Sequence, residues 1–182
     1  RGGVGGFVDE DGEAEGWGVA GLAAPESVDA GVGTGGAIGP RWESGRPTWF
    51  HPAFDGVIGC TYGGYPVKRM QVRNVLGCNM AFRREALSSV GGFRSELGRI
   101  AALPFGVEET EVCIRLAKTQ PGPSIMHVPA AIAHHAVPRS RATWTYFRRR
   151  CLWQGLRKGV RRRLLGRTSP RADVRPLPRT PW

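Results

Sequence analysis

Apolar positions along the chain change their period several times, and each change marks an element. Glu108–Lys118 sets Val112, Cys113 and Leu116 on one helical face. Its acids lie in the first turn and Arg115 and Lys118 in the last, which complements the dipole of a helix. Trp144, Phe147, Cys151, Leu156, Val160 and Leu164 follow spacings of 3, 4, 5, 4 and 4, predicting a longer helix over Thr143–Gly166. Arg148, Arg149, Arg157, Lys158, Arg161 and Arg162 fill most of its other positions, so this helix is basic. Ser124–Val128 predicts a strand after a Pro-Gly-Pro turn, and Ala130–Ala133 a further apolar stretch that ends at His134-His135. Val72–Phe82 reads as a strand interrupted at Gly77-Cys78-Asn79. Arg83–Val90 reads as a short helix closed by Gly91-Gly92.

The first third is less regular. Gly2–Val8 approaches a short strand that ends at Asp9-Glu10-Asp11. Residues 12–40 are rich in Gly and Ala; a helix over Trp17–Ala24 is weakened by Gly16, Gly18 and Gly21, each worth up to about 1 kcal/mol. Residues 40–66 predict a long loop in which Pro40, Pro47, Pro52 and Pro66 alternate with Trp42, Trp49, Phe50 and Phe54. A loop so aromatic either acts or packs on something. Beyond Gly166 the prolines and arginines predict a disordered basic tail. The chain thus divides into a body over 1–142, a basic helix over 143–166 and a tail over 167–182.

Composition bounds this picture. At 182 residues with 41% hydrophobic content the chain is long enough for one domain with a core. Its 27 Gly and 14 Pro predict many loops. No apolar run approaches the roughly 20 residues of a membrane-spanning helix. The first residue is Arg1, so a fragment of a longer protein is expected. The net charge of +11 is uneven: 3 basic and 9 acidic residues in 1–66, 9 and 5 in 67–135, and 14 and 1 in 136–182. That disfavours a uniformly basic nucleic-acid-binding domain. Cys60, Cys78, Cys113 and Cys151 are far apart, which excludes a zinc ribbon and predicts buried free thiols in a reducing cytoplasm.

Three clusters offer chemistry, and each has a plain alternative. Asp9-Glu10-Asp11 after Phe7-Val8 can converge on a hard divalent cation, or be a solvated turn. Glu108-Glu109 at a helix start can supply a general base, or merely match the macrodipole. His134 and His135 point to opposite sides of an extended segment, so that one can ligate a metal while the other packs.

Taken in order, the clusters carry a family resemblance. The stretch from Asn74-Val-Leu-Gly-Cys-Asn-Met to Phe93, then Gly106-Val-Glu-Glu-Thr-Glu-Val-Cys-Ile-Arg-Leu116, then Pro129-Ala-Ala-Ile-Ala-His-His-Ala-Val-Pro138, resembles family 2 glycosyltransferases. Phe7-Val-Asp-Glu-Asp11 resembles their D-x-D strand end. The resemblance covers about residues 4 to 160 and implies an α/β fold of the GT-A type. Its sheet would be mostly parallel, flanked by helices, and incomplete at the N-terminus because nucleoside-binding β-α units normally precede the D-x-D strand. It implies an inverting transferase that uses a nucleotide-sugar donor and a glycan, lipid-linked or other hydroxyl acceptor. Asp9 and Asp11 would hold Mg²⁺ or Mn²⁺ against the donor diphosphate, with a further contact from His134 or His135. Glu109 would be the base toward the acceptor hydroxyl, with Glu108 as its neighbouring alternative. The family pair is often Glu-Asp, so Glu-Glu reaches one methylene further. Gly77, Asn79 and Arg83 would line the sugar and acceptor pocket, Asn79 as a hydrogen-bonding partner for a sugar hydroxyl.

The basic helix has three readings: a solvated face, a helix resting on an anionic membrane surface, or a nucleic-acid contact. The acidic first third and the lack of aromatic residues interleaved with arginines beyond Trp153 count against the last. A peripheral place at the inner face of the plasma membrane is the corresponding expectation for location.

Overall fold

The computed structural model describes residues 4–8, 12–14, 31–94, 108–119 and 125–165, with side chains over 31–94, 108–119 and 125–156. Six strands form one sheet: β1 (Val4–Val8), β2 (Gly12–Ala14), β3 (Gly33–Trp42), β4 (Met70–Gln71), β5 (Asn79–Arg83) and β6 (Ile125–Val137). Their order is β1-β5-β3-β6-β2, with β4 also paired to β6. Among the described residues three α-helices accompany them: α1 (Arg84–Ser89), α2 (Glu108–Thr119) and α3 (Trp144–Leu165). The α/β class expected from the sequence is therefore found.

The expected mostly parallel sheet is not. Among the described residues only β3 and β6 run parallel, while β1–β5, β2–β6, β3–β5 and β4–β6 are antiparallel. Parallel neighbours need a long crossover that returns the chain to its starting end. The stretch between Trp42 and Ile125 supplies one for β3 and β6. β5, β2 and β4 are added to that pair in the opposite sense, and β1, antiparallel to β5, runs in the same sense as the pair.

β3 is central and carries many glycines for a steric reason. A Cβ at Gly33 would stand 2.5 Å from the Phe82 ring, and one at Gly35 would stand 2.3 Å from Val75 Cγ1. At Gly36 it would stand 1.9 Å from the Ala131 carbonyl oxygen. Side chains and backbone from both neighbours thus close over a bare strand. On the other side of the pair, β6 shifts register: Gly36 faces Val128, but Ala37 faces Ile132. The two apolar stretches expected around 124–128 and 130–133 are therefore one strand interrupted by a bulge at Pro129–Ala131. A proline, lacking an N–H, is tolerated inside a sheet at such a bulge.

Two buried clusters hold the elements. Val75, Met80, Phe82, Ala86, Val112, Cys113, Leu116 and Ile125 pack the sheet against α1 and α2. Val112, Cys113 and Leu116, the face expected from the helical spacing, are fully buried. α1 ends as its glycines dictate, with Gly91 and Gly92 at φ of 78° and 71°. Ile38, Phe50, Val57, Ile58, Cys60, Cys78 and Val137 form the second cluster, with Trp42, Phe54, Tyr146 and Phe147 packed against it.

That second cluster explains the aromatic segment after Trp42. It is not a bare loop: a 3-10 helix over Pro52–Ile58, capped by His51, breaks it. Asp55 is buried and accepts two bonds from Arg46, at 2.7 and 2.9 Å. The Arg46 guanidinium also lies over the rings of Trp42 and Phe50. The rings of Trp49, Phe50 and Phe54 each meet Phe147 within 5.4 to 5.7 Å. Arg150 and Gln154 donate to the carbonyls of Val57 and Gly56. The aromatic segment packs, and what it packs on is α3.

The interruption expected at Gly77-Cys78-Asn79 is a turn that precedes β5, so the strand begins at Asn79 instead of Val72. The helix over Trp17–Ala24 and the tail over 167–182 lie outside the described residues.

Candidate functional site

The start of β5, the end of β1 and the start of α2 meet at one end of the sheet. Asn79, the first residue of β5, pairs with Val8, the last of β1. Two residues earlier, a Cβ at Gly77 would stand 3.9 Å from Cδ of Glu109. The Glu109 carboxylate therefore lies against the Gly77 turn. β2 then begins at Gly12, opposite His135, with Glu13 opposite His134. The acidic triplet Asp9-Glu10-Asp11 itself, with its two expected metal ligands, lies outside the described residues.

Glu108 and Glu109 open α2, as their sequence position implied, and both are half-buried. One Glu108 oxygen, Oε2, is buried without a hydrogen bond among the described residues. A turn further on, burial pushes the Cys113 thiol up to about 12, and the charge of Glu109 pushes the same way. Glu109 thus contributes negative potential along the inner side of α2 as well as toward the Gly77 turn.

The third acid of this turn is structural. Glu111 is buried and accepts from Arg115 Nε at 2.7 Å and Nη2 at 2.6 Å. Arg115 also donates to the carbonyls of Val90 and Gly92. It thereby ties α2 to the glycine stop of α1. The i,i+4 spacing of Glu111 and Arg115 was the available signal.

Asn79 has a structural part in the sheet. It is fully buried, and its amide nitrogen donates to the carbonyls of Ala37 at 2.8 Å and Ala131 at 2.9 Å. Both N–H bonds are spent on the register shift between β3 and β6. The residue clamps the bulge, and its Oδ1 is buried without a hydrogen bond among the described residues. Arg83, at the far end of β5, donates from Nε to the Gly31 carbonyl at 3.1 Å and precedes α1. β5 therefore separates Arg83 from Gly77 and Asn79 by its full length.

The two histidines of β6 alternate as extended backbone requires: His135 is buried and His134 half-buried. His135 Nε2 lies 3.0 Å from Arg141 Nη1. A guanidinium only donates, so this nitrogen is the acceptor and the ring proton sits on Nδ1. His135 Nε2 is thereby engaged with Arg141. His134 faces Gly39 across the parallel ladder. Among the described residues no group of three or more His, Cys, Asp or Glu side chains is placed to hold a metal ion.

His127 is a further buried polar group that the sequence reading left aside. Its Nδ1 is 3.1 Å from the Gly35 carbonyl, and the Tyr65 ring meets its face edge-on at 4.8 Å. Burial holds its pKa below the usual histidine value, against the opposing pull of the Gly35 and Pro66 carbonyls. It cross-links β3 and β6 just before the bulge.

The chain is similar to the glucosyl-dolichyl phosphate glucuronosyltransferase of Haloferax volcanii, with 29% identity over 155 residues. The match covers 85% of this chain and 49% of that protein, so the chain spans about half the length of the curated relative. This relative is itself a glycosyltransferase, in agreement with the resemblance that the motifs carry. A crystal structure of GalNAc-T7 with UDP, GalNAc and Mn²⁺ superposes with a TM-score of 0.47 at 18% identity, over 74% of this chain and 27% of that one. No protein-family model matches the chain.

Proposed function

We propose that this chain is the acceptor-side part of an inverting family 2 glycosyltransferase. It moves a sugar from a nucleotide donor to a hydroxyl of a lipid-phosphate-linked acceptor. One observation carries the reading: the Glu109 carboxylate, the Gly77 turn and the end of β1 come together at one end of the sheet. Similarity to a glucuronosyltransferase whose name gives glucosyl-dolichyl phosphate supports the sugar-transfer class and the lipid-linked acceptor.

Glu109 is the base in this reading. It takes the proton of the acceptor hydroxyl as that oxygen attacks the anomeric carbon from the face opposite the nucleotide, which inverts the configuration. Gly77 leaves the approach to this carboxylate open, because it places no side chain between Glu109 and the turn. Glu108, beside it at the start of α2, is the alternative base. Asp9 and Asp11, which come after β1 in the sequence, would supply the hard oxygen ligands for Mg²⁺ or Mn²⁺ that the resemblance implies, and His134 would add a further contact. Such an ion, when bound, neutralises the leaving diphosphate.

Transfer of radiolabelled sugar from nucleotide donors to a polyprenyl-phosphate-linked hexose tests the reading. Glu109→Gln lowers turnover by about 10²- to 10⁴-fold, the usual worth of a general base, with the fold intact by circular dichroism. Unchanged turnover in that variant would remove Glu109 from the reaction.

A further inference from the structure

The docked side of α3 is well defined, which also defines its outer side. Phe147, Tyr146, Arg150 and Gln154 face the aromatic segment or donate to it. On the other side Arg148, Leu152 and Leu156, spaced by four residues, form an outward stripe, with Trp144 at its rim, where its ring stacks on Phe147. Leu152 is 67% exposed, Leu156 54% and Trp144 55%. Arg148 and the neighbouring Arg149 are exposed beside the leucines. Trp49, also exposed, meets Trp144 at 5.0 Å and widens the apolar rim.

We infer that this outer face of α3 is a docking surface for an anionic lipid bilayer. Two leucines left in water between arginines are poor design for a solvated face. They suit a helix lying in the plane of an interface, with leucines entering the acyl boundary and guanidinium groups at the headgroups. Tryptophan at the rim is the residue that prefers that depth. Charge selects the partner: α3 contains eight basic and no acidic residues, and 136–182 carries 14 basic against 1 acidic. An acidic surface is therefore what it complements. No helix among the described residues is long and apolar enough to cross a membrane, so the contact is one of lying on the surface. Nothing in this face depends on the proposed transfer reaction, and the two fail separately.

Co-sedimentation with vesicles of phosphatidylcholine containing 30% phosphatidylglycerol, compared with pure phosphatidylcholine, tests the inference. The chain partitions onto the anionic vesicles and not the neutral ones, and 0.5 M salt releases most of it. Arg148→Glu with Arg149→Glu lowers partitioning by about tenfold or more, and Leu152→Ser with Leu156→Ser by about fivefold or more. A polarity-sensitive dye on exposed Cys151 gives a second readout with no substitution in the face, brightening on anionic vesicles alone. Equal binding to neutral vesicles, or binding indifferent to both double variants, overturns the inference. So does a dimer in sedimentation equilibrium that the leucine variants abolish while vesicles bind nothing. Preference for duplex DNA over anionic vesicles at equal salt overturns it as well.

Discussion

Where β3 meets the bulge of β6, contacts run through absent side chains and one amide. Where α3 meets the segment after Trp42, they run through aromatic rings. In the first region Gly36 lets the Ala131 carbonyl come close, and Asn79 bonds that carbonyl and the Ala37 carbonyl together. In the second, Trp49, Phe50 and Phe54 surround Phe147 in edge-to-face geometry, over the ion pair of half-buried Arg46 with buried Asp55. The first arrangement contributes little apolar area but fixes a register, since any slip would leave buried carbonyls and an amide unpaired. The second contributes area and tolerates small shifts, because aromatic pairs are favourable over a range of offsets. The candidate base and the histidines are attached to the first region, where position matters more than adhesion. The surface helix is attached by the second.

The contrast breaks most sharply at Gly36. Valine there drives a Cβ into the Ala131 carbonyl and the Asn79 amide, and the clashing carbonyl is backbone that cannot rotate aside. The expected cost exceeds about 3 kcal/mol, the top of the usual overpacking range. Urea unfolding of Gly36→Val within 1 kcal/mol of the parent would mean that the bulge yields easily and fixes nothing.

Phe50 probes the other region. It is fully buried among Trp42, Trp49 and Phe147. Phe50→Ala costs about 3 kcal/mol, at the low end for buried phenylalanine because neighbouring rings can close part of the gap. The sharper expectation concerns location. Hydrogen exchange should rise in α3 and the 3-10 helix while β3, β5 and β6 stay protected. Uniform loss of protection would show that the two regions unfold as one unit and that the contrast has no energetic meaning.

Periodic features were the legible part of this fold. The face of α2, the reach of α3 and the stop of α1 at Gly91-Gly92 follow from apolar spacing and glycine chemistry, and each is found. Strand sense was not legible, because it depends on which crossovers join which strands and leaves no local trace. The bulge in β6 was half-legible: Pro129 argued against a continuous strand, yet nothing local said that the ladder resumes beyond it. Asn79 shows a deeper limit. A motif identifies a residue without saying whether its amide faces a ligand or two carbonyls 42 and 52 positions away. The same holds for His135, whose Arg141 partner sits six residues on, past the end of the strand. Glu109 is the case where sequence and geometry agree on location, since a helix start is local and the Gly77 turn lies beside it.

The smallest effect separates the regions by pH. His127 belongs to the register-fixing side, where it pairs with Gly35 across the parallel ladder. Burial lowers its pKa in the folded chain, so the unfolded chain binds its proton more readily. The neutral ring's contribution is complete above the ordinary histidine value of about 6.5. As pH falls through that value the unfolded state gains protons first, and stability declines until the folded-state value is reached, where the slope levels. One group can contribute no more than about 1.4 kcal/mol per pH unit. His127→Gln keeps a group able to bond the Gly35 carbonyl and removes the titration. Its urea midpoint should therefore lose less than that of the parent between pH 8 and pH 5.5. The difference should appear in exchange of β3 and β6 amides before it reaches α3. Parallel pH profiles for variant and parent would assign the acid sensitivity elsewhere and free His127 from any part in holding the ladder.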